Sequence, residues 1–196
     1  MLRLLLYRII ALIGLLLCLP FLIVCLIIIK LDSPGAFLFK QKRLGKDRKP
    51  FVLYKMRTMI VGAEQMKSQL KRQNEADGPV FKIRNDPRYT QPGKFLSHSG
   101  LDEIPQLINV LRGEMSLVGP RPLPLSEAKY VPDRYNLRFS VLPGMTSPWI
   151  IKGAHTLTFK QWMRLDVAYV KKSSIAQDFV ILGKTLLMVG RGVIHI

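Results

Sequence analysis

Asp102 and Glu103 are adjacent acids that follow Gly100 where the pattern predicts a helix start, and Pro105 suits the first turn of that helix because its missing N–H would have no partner there. The dipole of such a helix favours an ionised carboxylate by about 0.3 to 1 kcal/mol. An ionised carboxylate is what attack on phosphorus, or a bond to magnesium, requires. The same pair is also an ordinary helix cap. Phosphate-binding side chains favour the chemical reading: Lys55 and Arg57 end a strand-like run, Arg121 lies between two prolines, and Arg138 follows.

These residues sit in a strongly basic chain. Thirty Lys and Arg against 13 Asp and Glu give a formal charge of +17 over 196 residues, so the partner is an anion: nucleic acid, phospholipid headgroup or phosphorylated substrate. No nucleic-acid recognition module accompanies the charge, and a nucleic-acid partner would leave the apolar N-terminus unexplained. Glycine-rich nucleotide loops, the zinc protease pattern and an Asp-x-Asp pair are absent, and the three histidines are scattered. Cys18 and Cys25 lie within the apolar run, seven residues apart, and read as packing or lipid-facing groups.

Two units must position the chemistry. Residues 1–30 form a membrane-embedded segment whose stretch from Ile9 to Ile29 carries no charge and is long enough to reach across a bilayer core of about 30 Å. Pro20 sits near its centre, and a proline there removes a helical hydrogen bond. Arg3 and Arg8 precede the segment, and Lys30, Lys40, Lys42, Arg43 and Lys46 follow it, so both flanks carry the charge of a cytoplasmic side. A spanning helix with a kink and a helix-break-helix returning to the same face both remain open. Residues 31–196 form one cytoplasmic domain. Strands are predicted at Phe37 to Gln41 and Phe51 to Arg57 about a turn at Gly45-Lys46-Asp47. Helices are predicted over Ala63 to Gln73, from near Asp102 to Gly113, over Thr158 to Lys172 and from Ser174 to about Val189; Asn85 to Gly93 reads as loop. Core packing is the favoured role for the last helix. Between Lys40 and Arg57 eight residues are basic and one is acidic, a face suited to anionic phospholipid.

The 22 residues from Leu101 to Pro122 contain Leu101-Asp102-Glu103-Ile104-Pro105-Gln106, Asn109-Val110-Leu111-Arg112-Gly113 and Val118-Gly119-Pro120-Arg121-Pro122. With Gln41-x-Arg43-x-Gly45, Tyr54-Lys55-Met56-Arg57-Thr58-Met59, Pro143-Gly144-Met145-Thr146, and Asp166 and Tyr169 ahead of Asp178, the chain resembles the bacterial sugar transferases, the monotopic phosphoglycosyl transferases, over nearly its whole length. The resemblance implies an α/β, mainly α fold: a re-entrant membrane helix with a proline break, then a small domain with amphipathic interfacial helices on the cytoplasmic face of the bacterial inner membrane. It implies Mg2+ as cofactor, with Asp102 as a ligand, and a UDP-sugar and polyprenyl (undecaprenyl) phosphate as substrates. Asp102 would attack the sugar-bearing phosphorus and release UMP, and the lipid phosphate would then take the phosphosugar, a first membrane step of glycan assembly. Glu103 would orient groups or move a proton, and Lys55, Arg57, Arg121 and Arg138 would contact phosphate. Asp166 is a further site residue with no role assigned.

The chain departs from the family where arginine is common: Ser97, Leu142 and Ala154 stand there, and Leu19 replaces a usual Ser before the proline. The Ser147-Pro148-Trp149 run also replaces a Gly-containing segment. Lys94, His98, Lys152 and His155 are candidate substitute cations, Lys152 foremost. A catalytically silent, membrane-anchored member that binds nucleotide sugar or polyprenyl phosphate is the alternative. The sugar and the oligomeric state are not legible in these residues.

Overall fold

The apolar N-terminal run folds as a single long helix, α1 (Leu2–Asp32), with Pro20 inside it. This architecture comes from a computed structural model, in which residues 2–154 and 156–191 are described; His155 lies outside them. Strands β1 (Leu38–Leu44) and β2 (Pro50–Met56) follow, then a short helix α2 (Ala63–Met66), α3 (Gln91–Ser99) and α4 (Gln106–Arg112). Next come β3 (Ser116–Val118), β4 (Leu123–Pro124), α5 (Leu125–Ala128), β5 (Gly144–Thr146) and α6 (Pro148–Ile151). Helices α7 (Phe159–Lys172) and α8 (Ile175–Gly190) close the described chain, which is mixed α/β and mostly helical.

The sheet is small and antiparallel, in the order β2-β1-β4, and β3 pairs in parallel with β5 apart from it. The expected hairpin turn is a three-ten turn over Lys46–Arg48. In the hairpin Lys55 lies opposite Phe39 and Leu53 opposite Gln41. The outer edge of β2 needs another partner, and Asn109 of α4 supplies it. Its side chain accepts from the Tyr54 N–H at 3.1 Å and donates to the Val52 carbonyl at 2.7 Å. A buried amide thus stands in for a neighbouring strand and fixes α4 against β2.

Helix α1 lies along this domain. Tyr7 and Ala11 join a core with Leu53, Val110, Met115 and Tyr169, while Cys25 and Ile29 pack with Met56 and Leu96. Both halves are therefore anchored, and each fully buried large apolar side chain contributes about 1.5 to 3 kcal/mol. Polar contacts hold both ends as well. Arg3 donates to Tyr169 Oη at 2.8 Å and pairs with buried Asp178, which also accepts from Tyr7 and Tyr169. At the other end Arg57 donates to the carbonyls of Ile29 (3.0 Å), Ser33 (2.7 Å) and Pro34. Leu4, Leu5, Ile9, Leu12, Ile13, Leu16, Leu17, Ile23, Val24 and Ile27 remain exposed on the rest of the helix.

Several expectations shift. The polar stretch from Ala63 to Gln73 is broken into α2 and a three-ten turn, since it offers no apolar stripe to bury. Helix α3 begins inside the expected loop, its proline lodged in the first turn and Thr90 Oγ1 accepting from the Gly93 N–H at 3.1 Å. Helix α7 begins where a helix is expected, and a capping box at Thr158 and Gln161 starts it. In α8 only Asp178 and Ile181 are buried, whereas Phe179, Val180, Leu186 and Leu187 are exposed. Core packing thus occupies one stripe of that helix and leaves an apolar face outside.

Candidate active site

Asp102 and Glu103 lie in a three-ten turn (Leu101–Glu103) wedged between α3 and α4. Gly100 makes this junction possible: its φ of 72° caps α3 and opens the turn, a conformation that side chains disfavour. The acids thus precede the α4 helix, which starts after Pro105, so the helix dipole is not their main influence. Burial is. Asp102 is 4% exposed and Glu103 5%.

Their two environments differ. Lys55, next to the end of β2, places Nζ 2.6 Å from Glu103 Oε1 and 3.5 Å from Asp102 Oδ2. Arg121 Nη2 donates to Glu103 Oε1 at 2.8 Å and Nη1 lies 3.5 Å from Oε2. Burial alone would raise Glu103, but Arg121 and Lys55 outweigh it and hold this carboxyl well below its usual range. Asp102 is pushed up to about 6, chiefly by burial, with the Glu103 charge adding to it and Lys55 opposing. Glu103 is therefore the fixed counterion of both cations. Asp102 keeps a more lightly held carboxylate, and it lines a cleft of ≈550 Å³ together with Lys55, Arg121 and Trp149.

Arg121 owes its position to two other arginines. Arg43 of β1 donates to the Pro122 carbonyl at 2.7 Å, and Arg138 Nη2 donates to the Arg121 carbonyl at 2.7 Å. Arg138, in the three-ten segment Asp133–Phe139, is itself fixed by Asp166 of α7 through bonds of 3.0 and 2.8 Å. Burial pushes Asp166 up to about 6, and Arg138 opposes the shift. Neither Arg138 nor Asp166 lines the cleft. Both hold the strap that carries Arg121. Arg138→Ala should cost about 3 to 5 kcal/mol, because it leaves a buried carboxylate without its partner; chemical denaturation of the detergent-solubilised protein measures this, and a loss below about 1 kcal/mol would contradict the pairing.

Other expected phosphate contacts are placed elsewhere. Arg57 is buried with its guanidinium on the C-terminal carbonyls of α1, where a cation offsets the helix dipole, and it does not line the cleft. Lys152 is exposed at the end of α6, and neither it nor exposed Lys94 is among the lining residues. Ser97 and Ala154 line the cleft and Leu142 does not, so two of the three positions where the resemblance leads one to expect arginine fall at the site. His98 lines it too, with Nε2 2.9 Å from the Arg84 carbonyl. Sequence reasoning quotes Arg43 and Asn109 within motifs but gives them no role at the site, and it does not reach Lys82 or Arg84; the role of Asn109 could be sought only as a polar residue on the otherwise apolar face of α4.

Of the acid pair only Asp102 could offer a carboxylate to a magnesium ion, since both oxygens of Glu103 face cations. Among the described residues no group of three His, Cys, Asp or Glu gathers. That suits magnesium held by one carboxylate together with substrate phosphates better than a protein cage.

Known proteins share this sequence. The chain is 41% identical over 180 residues to the galactosyl transferase CpsE of Streptococcus agalactiae, a match covering 91% of this chain and 40% of that protein. It is 35% identical over 165 residues to the undecaprenyl-phosphate galactose phosphotransferase of Salmonella typhimurium, covering 80% of this chain and 34% of that protein. Against the exopolysaccharide production protein ExoY of Rhizobium meliloti the identity is 32% over 178 residues, covering 89% and 79%. The chain thus spans two-fifths or less of the length of the first two relatives. The bacterial sugar transferase profile matches residues 1–192, a range that contains the buried acid pair, its clamping cations and α1 alike, and the chain belongs to that family of transferases.

Proposed function

We propose that the chain transfers a sugar 1-phosphate from a UDP-sugar to undecaprenyl, or another polyprenyl, phosphate. The observation that carries this reading is the asymmetry of the acid pair: Glu103 is clamped by Lys55 and Arg121, while Asp102 reaches the cleft beside the same cations. An oxygen of Asp102 attacks the sugar-bearing phosphorus, the bond from that phosphorus to the bridging oxygen breaks, and UMP leaves with the electron pair. A phosphate oxygen of the lipid then attacks the same phosphorus, Asp102 departs as a carboxylate, and the sugar is left on a lipid diphosphate. Lys55 and Arg121 offset the negative charge that moves onto the leaving phosphate. Magnesium, when bound, neutralises further charge on the diphosphate. The names of the relatives support the substrate classes, one being an undecaprenyl-phosphate galactose phosphotransferase and another, of Erwinia amylovora, a UDP-galactose-lipid carrier transferase.

Purified, detergent-solubilised protein with magnesium and a lipid phosphate acceptor should release UMP from at least one member of a panel of UDP-sugars. Ser97 and Ala154, where the resemblance leads one to expect arginine, leave two uncharged positions in the cleft, which makes the silent-member reading worth testing in the same assay. Binding of a UDP-sugar without UMP release from any member would select it.

The membrane arrangement proposed is re-entrant, with both ends of α1 on the cytoplasmic face of the inner membrane. Arg3 at one end and the Ile29 and Ser33 carbonyls at the other are held by the same domain. A spanning helix would separate its ends by about 30 Å of hydrocarbon. Pro20, which has no N–H for the helical ladder, marks where the helix would turn within the bilayer. Helix α8, tied to Arg3 through Asp178, carries an exposed apolar face that suits lipid, and the basic surface of the domain suits anionic phospholipid. A cysteine introduced near residue 2, in a variant lacking Cys18 and Cys25, should be labelled from the cytoplasmic side; labelling only from the periplasmic side would establish a spanning helix.

A further inference from the structure

Among the cations of the cleft that the mechanism above does not use, two stand in one short loop. Lys82 and Arg84 line the cleft with Asp102, Lys55 and Arg121. They lie outside any helix or strand, yet their backbone is tightly fixed. Asn74 Oδ1 accepts from the Lys82 N–H at 2.7 Å, Asn74 Nδ2 donates to the Val80 carbonyl at 2.9 Å, and the Glu75 N–H donates to the Lys82 carbonyl at 2.8 Å. Glu75 Oε1 accepts from the Arg84 N–H at 3.2 Å. The loop is pinned to its surroundings as well: Asp77 Oδ2 accepts from the Phe159 N–H at the start of α7 at 2.9 Å, and the Arg84 carbonyl meets His98 near the end of α3.

We propose that Lys82 and Arg84 bind the diphosphate of the nucleotide-sugar donor. This deepens the donor reading above and rests on it. Lys55 and Arg121 are engaged by Glu103, so they have limited freedom to neutralise a second phosphate. Ser97 and Ala154 bring no charge to the cleft. Lys82 and Arg84 can supply what those positions lack, one chain segment away. Burial first, then the like charges of Arg121, Arg84 and Lys55, lower Lys82 to about 7, with Glu75 opposing, so part of the shift is repulsion between cations. An anion set among these cations relieves that repulsion. The donor fits better than the lipid phosphate, because it brings two phosphates for these added charges to neutralise and the lipid acceptor brings one.

Calorimetric titration of the full chain in detergent, with UDP, UMP and farnesyl phosphate as separate probes, tests this. Lys82→Ala and Arg84→Ala should each weaken UDP binding at least tenfold, about 1.4 kcal/mol. Lys82→Arg, which keeps charge and tests against simple misfolding, should stay within about threefold of wild type. UMP, with one phosphate fewer, should lose less in the same variants. Unchanged UDP affinity in both alanine variants would overturn the proposal, as would failure of the wild type to bind UDP. Loss confined to farnesyl phosphate would assign the cations to the acceptor and overturn it too. UMP release by the wild type is measured separately, so the donor reading can stand while this assignment falls.

Discussion

Asp102→Asn should fold normally and lose turnover by about 10⁴-fold or more, the range seen when a group at the centre of covalent catalysis is removed. The two halves of this expectation come from the same geometry. Asp102 is buried beside Glu103, and the protein raises its carboxyl to about 6, so a neutral amide of the same shape relieves a like-charge contact. It also removes the carboxylate oxygen beside Lys55 and Arg121 that is proposed to attack phosphorus and then leave. UMP release and thermal denaturation on the same preparation measure both. Normal turnover in this variant would remove Asp102 as nucleophile, whereas unfolding would mean that its charge is needed structurally.

Glu103→Gln should lower kcat by about 10²-fold or more, the scale of a positioned acid or base. Glu103 accepts from Lys55 at 2.6 Å and from Arg121 at 2.8 Å. With a neutral side chain there, both cations lose their counterion and turn to the remaining carboxylate, Asp102. A nucleophile gripped by two cations attacks more slowly. The donor, being an anion, should bind no more weakly, and the effect should fall on kcat while KM holds or drops. A variant with unchanged kcat and a raised KM would show that Glu103 serves donor binding instead.

The sequence made the acid pair, Lys55 and Arg121 legible because their types and spacing form a dense local pattern, and the structure brings these four together. The strands and the two C-terminal helices were legible for a similar reason: apolar periodicity and caps such as Thr158 act within a few residues. What was not legible depends on contacts between distant segments. Arg57 carries the same charge as Lys55 two residues earlier, and strand alternation would put both on one face, but β2 ends at Met56 and Arg57, just past it, turns onto the end of α1. Arg138 and Asp166 read as site residues, and only their mutual bond and the Arg121 carbonyl reveal a positioning role. Lys152 follows the altered Ser147-Pro148-Trp149 run, yet it is exposed. Lys82 and Arg84 lie in a stretch without periodicity, where Asn74 makes the structure that no local pattern announces. The dipole argument for Asp102 weakens because the acid lies in a three-ten turn ahead of α4 and not at that helix's start, and burial is the larger influence.

Intact-protein mass spectrometry, followed by peptide mapping, after incubation with a UDP-sugar and magnesium but no lipid acceptor, asks whether the sugar phosphate passes through the enzyme. The geometry predicts a phosphosugar adduct on Asp102 that forms as UMP appears, disappears on addition of polyprenyl phosphate and is missing from Asp102→Asn. UMP release that requires the lipid acceptor from the outset, with no adduct trapped at any time, would contradict it and point to direct transfer between the two substrates.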